Sequence, residues 1–166
     1  EAARTDAKRD ALTNLPNRRA TDELLERINK AQEAYAVAIV DIDHFKSVND
    51  RFGHAVGDRV LKGVADLLAE SCGKYAHVAR WGGEEFILVF RANEVGKSHD
   101  IVDKARELLA EKQFKLRETD EPLGKITFSA GIASGKEEAG VLSVLADERL
   151  YRAKNSGRNK VISNDQ

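Results

Sequence analysis

The stretch Ala79-Arg80-Trp81-Gly82-Gly83-Glu84-Glu85-Phe86-Ile87-Leu88-Val89-Phe90 constrains the fold more than any other. A glycine pair separates Val78-Ala79-Arg80 from the apolar run Phe86 to Phe90. Two β-rich runs joined by glycines read as a hairpin, because glycine supplies the positive φ of tight turns. Two carboxylates follow the glycines at once. Without a cation their charges repel and their desolvation is costly; beside a divalent metal the same pair becomes a hard oxygen ligand set. Taken alone, the motif reads as a solvated acidic hairpin tip. A second acidic strand end upstream, Asp41-Ile42-Asp43, shifts the reading towards a site.

The 166 residues suffice for one domain with a real core. With 27 basic and 28 acidic residues, the net charge of -1 gives no general pull towards nucleic acid or anionic membrane, and neither is expected as a partner. Nucleotide binding therefore needs a local site. The single cysteine, Cys72, cannot form an internal disulfide and reads as a small apolar residue in a reducing compartment. The longest apolar run, Ala34 to Val40, is far short of a membrane span, and no signal peptide is visible. A cytoplasmic domain is expected. The absence of methionine, even at position 1, predicts a segment of a longer protein. Residues 1–9 then read as the end of an upstream linker helix, or as a frayed terminus.

Along the chain, Asn17 or Thr21 caps a first helix that carries Leu24, Leu25 and Ile28 on one face. Tyr35 to Ile42 is a short buried strand. Its acidic end needs a reason, since aspartate is a poor strand former. Lys46 to Phe52 is a short helix, Gly53 to Asp58 a glycine-punctuated loop, and Arg59 to Ser71 an amphipathic helix. After the hairpin come a polar loop (Asn93 to Asp100), a helix (Ile101 to Phe114) and a loop containing Pro122. Lys125 to Ala133 alternates with strand period. Val141 to Lys154 is helical with Leu142, Leu145, Leu150 and Tyr151 inward, and Lys160 to Ser163 forms a last short strand. This order predicts an α+β fold with a mostly antiparallel central sheet flanked by helices.

If the strand ending at Asp41 lies beside the hairpin carrying Glu84, their carboxylates meet at one edge of the sheet. Two acids and a backbone carbonyl make half of a Mg2+ site, completed by substrate phosphates and water. Here the residues resemble a known family. Asp10-Ala11-Leu12-Thr13 with Asn17-Arg18-Arg19, Asp41 to Lys46, Asn49-Asp50, Gly53-His54 with Gly57-Asp58, Arg80 to Phe86, and Ala146-Asp147 through Leu150-Tyr151 and Ala153-Lys154 to Gly157-Arg158-Asn159 are similar to the GGDEF diguanylate cyclases, in the GGEEF form. The resemblance covers nearly the whole chain, so residues 10–166 are expected to be one GGDEF domain of palm-like, nucleotidyl-cyclase architecture.

The resemblance implies condensation of two GTP into cyclic di-GMP with release of pyrophosphate, in a site formed between two facing domains of a homodimer. It implies Mg2+ or Mn2+ held by Asp41, Glu84 and the Ile42 carbonyl. Asp41, Glu84 and Glu85 form the catalytic set, with Glu85 assisting the metal site or the deprotonation of the attacking hydroxyl. Asn49 and Asp58 read guanine, whose edge a carboxylate and an amide can satisfy. Lys46, Lys154 and Arg158 hold phosphates as cations, and the backbone around His44 and Phe45 lies near the triphosphate. Gly82 and Gly83 let the nucleotide approach the hairpin. An upstream sensory or dimerising domain is implied as the controlling part.

Each role has a plainer rival. Lys154 and Arg158 read equally as helix C-terminal charges, Asn49 and Asp58 as helix caps, His54 as structural, and Trp81 as core or a lid on the hairpin. A silent module that binds GTP or a partner protein, and a cyclase with relaxed base choice, are the alternatives to the cyclase reading. Many family members also carry an inhibitory Arg-x-x-Asp product site before the glycine pair. Counting back from Gly82, its positions are Gly73 and Ala76, so that site is expected to be missing.

Overall fold

The computed structural model describes residues 7–164. Its centre is β1 (Tyr35–Ile42), which pairs antiparallel with β3 (Glu85–Arg91) on one side and β4 (Phe128–Gly135) on the other. With β2 (His77–Gly82) and β5 (Val161–Ile162) the sheet has five strands in the order β2-β3-β1-β4-β5. Among the described residues only β4 and β5 run parallel. The expected α+β, mostly antiparallel, palm-like layout is therefore present.

Strand period divides the core into two halves. Ala36, Ala38, Val40 and Ile42 join Phe86, Leu88 and Phe90 on the face covered by α2 (Phe45–Phe52), α3 (His54–Cys72) and α4 (Ser98–Glu111). Tyr35, Val37 and Ile39 join Ile87 and Val89 on the face covered by α1 (Arg18–Lys30) and α5 (Ala139–Asn155). A strand buried on both faces must be apolar at successive positions, which is why β1 reads as a continuous run.

Several boundaries differ from the expectations. Of the two candidate caps of α1, Asn17 accepts from the Ala20 N–H at 3.1 Å, while Thr21 is buried and bonds the His77 ring at 2.9 Å. Gly53 to Asp58 is not a loop. Only Gly53, at φ 92°, interrupts the helices, and α3 begins at His54. Gly57 serves packing rather than a turn: a Cβ there would collide with the Asn49 side-chain oxygen. Asp58 therefore lies inside α3 and Asn49 inside α2, so neither is a cap.

The expected polar loop after β3 is a 3₁₀ turn (Ala92–Lys97) running straight into α4. Phe114, expected in that helix, lies beyond it and packs against Gly63. β4 starts later than expected because Ile126 is buried without joining the ladder: its alternation records burial, not pairing. Tyr151, expected inward, is 69% exposed, since it lies off the Leu142–Ala146–Leu150–Ala153 stripe that faces the sheet.

Cys72 closes α3 fully buried, and burial pushes its thiol up to about 12. Most of residues 1–9 fall outside the described part. Ala7 and Lys8 form a turn, and Arg9 bridges to Pro16. Among the described residues no helix is long and apolar enough to cross a membrane.

Candidate active site

The sheet register brings the two acidic motifs together. Asp41 is the partner of Glu85 across β1 and β3, and the Ile42 N–H donates to the Glu84 carbonyl at 3.4 Å. The hairpin turn at Gly83-Glu84 thus closes over the end of the central strand. A bulge at Trp81 shifts the register between Arg80 and Gly82, and the Arg18 guanidinium stacks on the Trp81 ring at 3.9 Å. Trp81 is therefore a partly exposed support flanking the hairpin, packed against the edge of the core half under α1 and α5.

The turn is braced from below. Arg80 donates to the Gly83 carbonyl at 2.6 and 3.1 Å and pairs with Asp10 at 3.2 Å. Asp10 also accepts from the Thr13 N–H and hydroxyl at 2.9 and 2.8 Å. Burial acts to raise the Asp10 carboxyl, but these donors outweigh it and leave it lowered. A Cβ added at Gly82 or Gly83 would meet nothing within 4 Å. Gly83 has φ 25°, a backbone reason for glycine; at Gly82 protein packing demands none.

Like charges gather above this turn. Burial first, then Asp41, Asp147 and Glu84 push the Glu85 carboxyl up to about 7, and it shares a hydrogen bond with Asp41. Burial and Asp41 also raise Glu84, against the pull of Lys154. Asp147 on α5 is raised by burial and Asp41, with Arg18 opposing. Asp147 belongs to this acid group although no site role was expected for it. Its motif position on an amphipathic helix gave no sign that α5 delivers it to the end of β1.

Lys154 is no ordinary helix-end charge. Its ammonium lies 2.7 Å from Asp41 Oδ1 and 2.9 Å from Asp43 Oδ1, near the Asp41 and Ile42 carbonyls at 3.3 and 3.4 Å. Arg158 follows α5 at φ 62° and donates to the Lys154 carbonyl at 2.8 Å. Its Nε is buried with no partner among the described residues. Lys46 stands apart, with its side chain 89% exposed and ion-paired to Asp50 at 2.9 Å. Phe45 is core, packed beneath Gly57. Its backbone opens α2 directly after His44, a left-handed residue at φ 57°. Asn49 packs on Gly57, beside exposed Asp58.

Asp43, the last residue of the Asp41-Ile42-Asp43 motif, carried no expected site role. It is 4% exposed and accepts from Thr127, Ser129, Lys154 and the Asn159 N–H. Burial opposes its ionisation, yet the hydroxyls of Thr127 and Ser129 and the Lys154 ammonium hold the carboxyl below its usual range. The available signal was the pair of polar residues at alternate positions of an otherwise apolar strand.

Acids and cations interleaved at one end of a palm-like sheet define a domain of the nucleotidyl-cyclase type. The chain belongs to the GGDEF family: the model of "Diguanylate cyclase, GGDEF domain" matches residues 7–160. The diguanylate cyclase DgcP of Pseudomonas aeruginosa is 39% identical over 97% of this chain and 24% of its own length. The diguanylate cyclase VdcA of Vibrio cholerae is 34% identical over 95% of this chain and 47% of its own. The chain thus spans between a quarter and a half of these relatives. Among solved structures, the GGDEF domain of DgcB from Caulobacter crescentus in complex with c-di-GMP superposes with a TM-score of 0.92 at 35% identity, covering 99% of this chain and 97% of that one. The active GGEEF domain of a Vibrio cholerae diguanylate cyclase gives a TM-score of 0.76 at 32% identity, over 90% and 97% of the two chains.

Proposed function

We propose that this domain is a diguanylate cyclase that condenses two GTP into cyclic di-GMP and two pyrophosphates. The observation that carries the reading is the juxtaposition of Asp41, Glu84 and Glu85 with Lys154 beneath a hairpin whose glycines face open space. It is supported by a similar GGEEF domain described as active.

The donor set fits a divalent cation, Mg2+ or Mn2+. Hard carboxylate oxygens lie beside a strand-end carbonyl, and Glu84 and Glu85, raised first by burial, are raised further by repulsion from Asp41 that a cation would relieve. Asp41, Glu84 and the Ile42 carbonyl would hold it. Such an ion supplies charge neutralisation on the leaving pyrophosphate and acidifies the attacking hydroxyl.

The protein's own groups do the rest. Lys154 and Arg158 draw the triphosphate to the β1 end, with Lys46 as an outer cation and the α2 backbone at Phe45 alongside. Asn49 and Asp58 take the guanine edge, and Gly82 and Gly83 leave room for the nucleotide. Glu85, whose carboxyl is pushed up to about 7 in the absence of a cation, is suited to take the 3′-hydroxyl proton or to share the charge of Asp41. The hydroxyl oxygen then bonds to the α-phosphorus of the other GTP as its bond to pyrophosphate breaks. Each chain offers one nucleotide position, so two copies face each other as a homodimer, brought together by an upstream sensory or dimerising region that residues 1–9 join to the domain of residues 10–166. The reading carries a cytoplasmic location with it, where GTP is available.

Chromatographic identification of the product formed from GTP and Mg2+ by concentrated protein tests this. Cyclic di-GMP, with a rate per chain that falls on dilution, is the expected result. GTP binding without turnover leaves the silent-module reading in its place.

A further inference from the structure

The Asp43 carboxylate divides its acceptors evenly. Oδ1 takes the Ser129 hydroxyl at 2.7 Å and the Lys154 ammonium at 2.9 Å. Oδ2 takes the Thr127 hydroxyl at 2.7 Å and the Asn159 N–H at 3.0 Å. The Ser129 hydroxyl comes from β4, placed by the β1 register, and the Thr127 hydroxyl from the residue just before that strand, whose carbonyl accepts from the Asp43 N–H at 2.9 Å. The other two partners come from the end of α5 and the turn beyond it.

That turn is unusual. Gly157, Arg158 and Asn159 follow one another at φ 117°, 62° and 51°. Residues with a Cβ resist this region and stay there only when their surroundings over-determine them. Here the Asn159 N–H is fixed by Asp43 and by the Ser129 hydroxyl at 3.1 Å, and its side chain by Arg106 at 2.9 Å. The Arg158 N–H is held by the Ala153 carbonyl at 3.0 Å.

We propose that Asp43 is the positioning residue of the phosphate grip: one oxygen orients the Lys154 ammonium, and the other locks the left-handed turn that presents Arg158. This rests on the reading of Lys154 and Arg158 as phosphate ligands. A carboxylate is required because all four partners donate. An amide would turn an N–H against the Asn159 N–H or the ammonium, neither of which can accept.

The test compares binding of α,β-methylene GTP, whose bridge carbon cannot be displaced, with binding of GMP, both with Mg2+. The ratio of the two affinities isolates the grip on the outer phosphates, which general loosening of the fold does not move. In Asp43→Asn the ratio should fall about tenfold, with GMP affinity little changed, as expected for loss of charge-assisted contacts. Ser129→Ala, which removes one hydroxyl and keeps the carboxylate, should fold normally and lower the ratio about threefold. Should Asp43→Asn fail to fold, Ser129→Ala decides. A ratio unchanged in folded variants overturns the positioning role while leaving the phosphate ligands standing. Wild-type protein that binds the analogue no better than GMP overturns both.

Discussion

Asp41 and Asp43 are two residues apart on the same strand end, yet their surroundings are opposite. Around Asp43 every neighbour donates, and the carboxyl is held below its ordinary value. Around Asp41 the neighbours are Glu84, Glu85 and Asp147, all raised, with Lys154 as the cation in contact. One carboxylate is satisfied by the fold. The other belongs to a group whose charge the fold leaves unbalanced, and a ligand must complete it. Stability and function have been assigned to two carboxylates at one strand end, both in contact with the same Lys154 ammonium.

The comparison can be broken most sharply by removing acids from the unbalanced group. Glu84→Ala or Asp41→Ala should reduce GTP turnover by at least about a hundredfold, the scale expected on losing electrostatic stabilisation of a transition state. The melting temperature should hold or rise in Glu84→Ala, because repulsion is relieved. Undiminished turnover in either variant removes it from the metal-binding set.

The next largest effect concerns base choice. Asp58 is exposed within α3 and makes no cap, so Asp58→Ala should change stability by less than about 0.5 kcal/mol. Its kcat/KM for GTP should nonetheless fall by about 10- to 100-fold, as when a polar ligand edge loses its partner. Equal kinetics for variant and parent would refute the guanine assignment.

A smaller effect separates the two kinds of carboxylate by pH. Glu85 ordinarily titrates at 4.5 but is raised to about 7 in the folded chain. Its contribution to stability is fully present below pH 4.5 and is lost as pH rises through 7. Asp43 runs the other way: lowered from 3.8, its contribution is present above that pH and is lost only as pH falls through its lower folded value. The nucleotide-free protein should therefore lose melting temperature between pH 4.5 and 7, and Glu85→Gln should flatten that slope. An identical slope in the variant would count against the raised carboxyl.

Smallest of all should be the response to product. Gly73 and Ala76, at the end of α3, offer neither a guanidinium fork nor a carboxylate. Cyclic di-GMP added during turnover should act only as a weak competitor of GTP. Strong noncompetitive inhibition contradicts this.

Much of this architecture could be read from the sequence because it rests on local patterns. The apolar run of β1, the glycine hinge of the hairpin and the stripes of α1, α3 and α5 each carry their own period. What escaped was set by long-range contacts. Gly57 reads as a turn residue until Asn49 is seen packed on it, and Asp58 reads as a cap for the same reason. Ile126 has strand alternation but no ladder partner. That Asp41 lies beside Glu84 and Glu85 was legible through their motifs, whereas the nearness of Asp147 and the Asp43 hub needed the sheet register and the path of α5. Lys46 matched the motif pattern equally well, yet points to solvent and pairs within its own helix.

The sole sulfur atom has a practical consequence. Cys72, the last residue of α3, is sealed in the core, and burial suppresses its thiolate. Alkylating reagents react with thiolate and need access to it, so the native chain should resist them until the end of α3 opens. Labelling rate is thus an intrinsic clock for that opening. No engineered probe is required, and the clock can be read with and without nucleotide to show how far substrate binding at one end of the sheet tightens the helix that covers it.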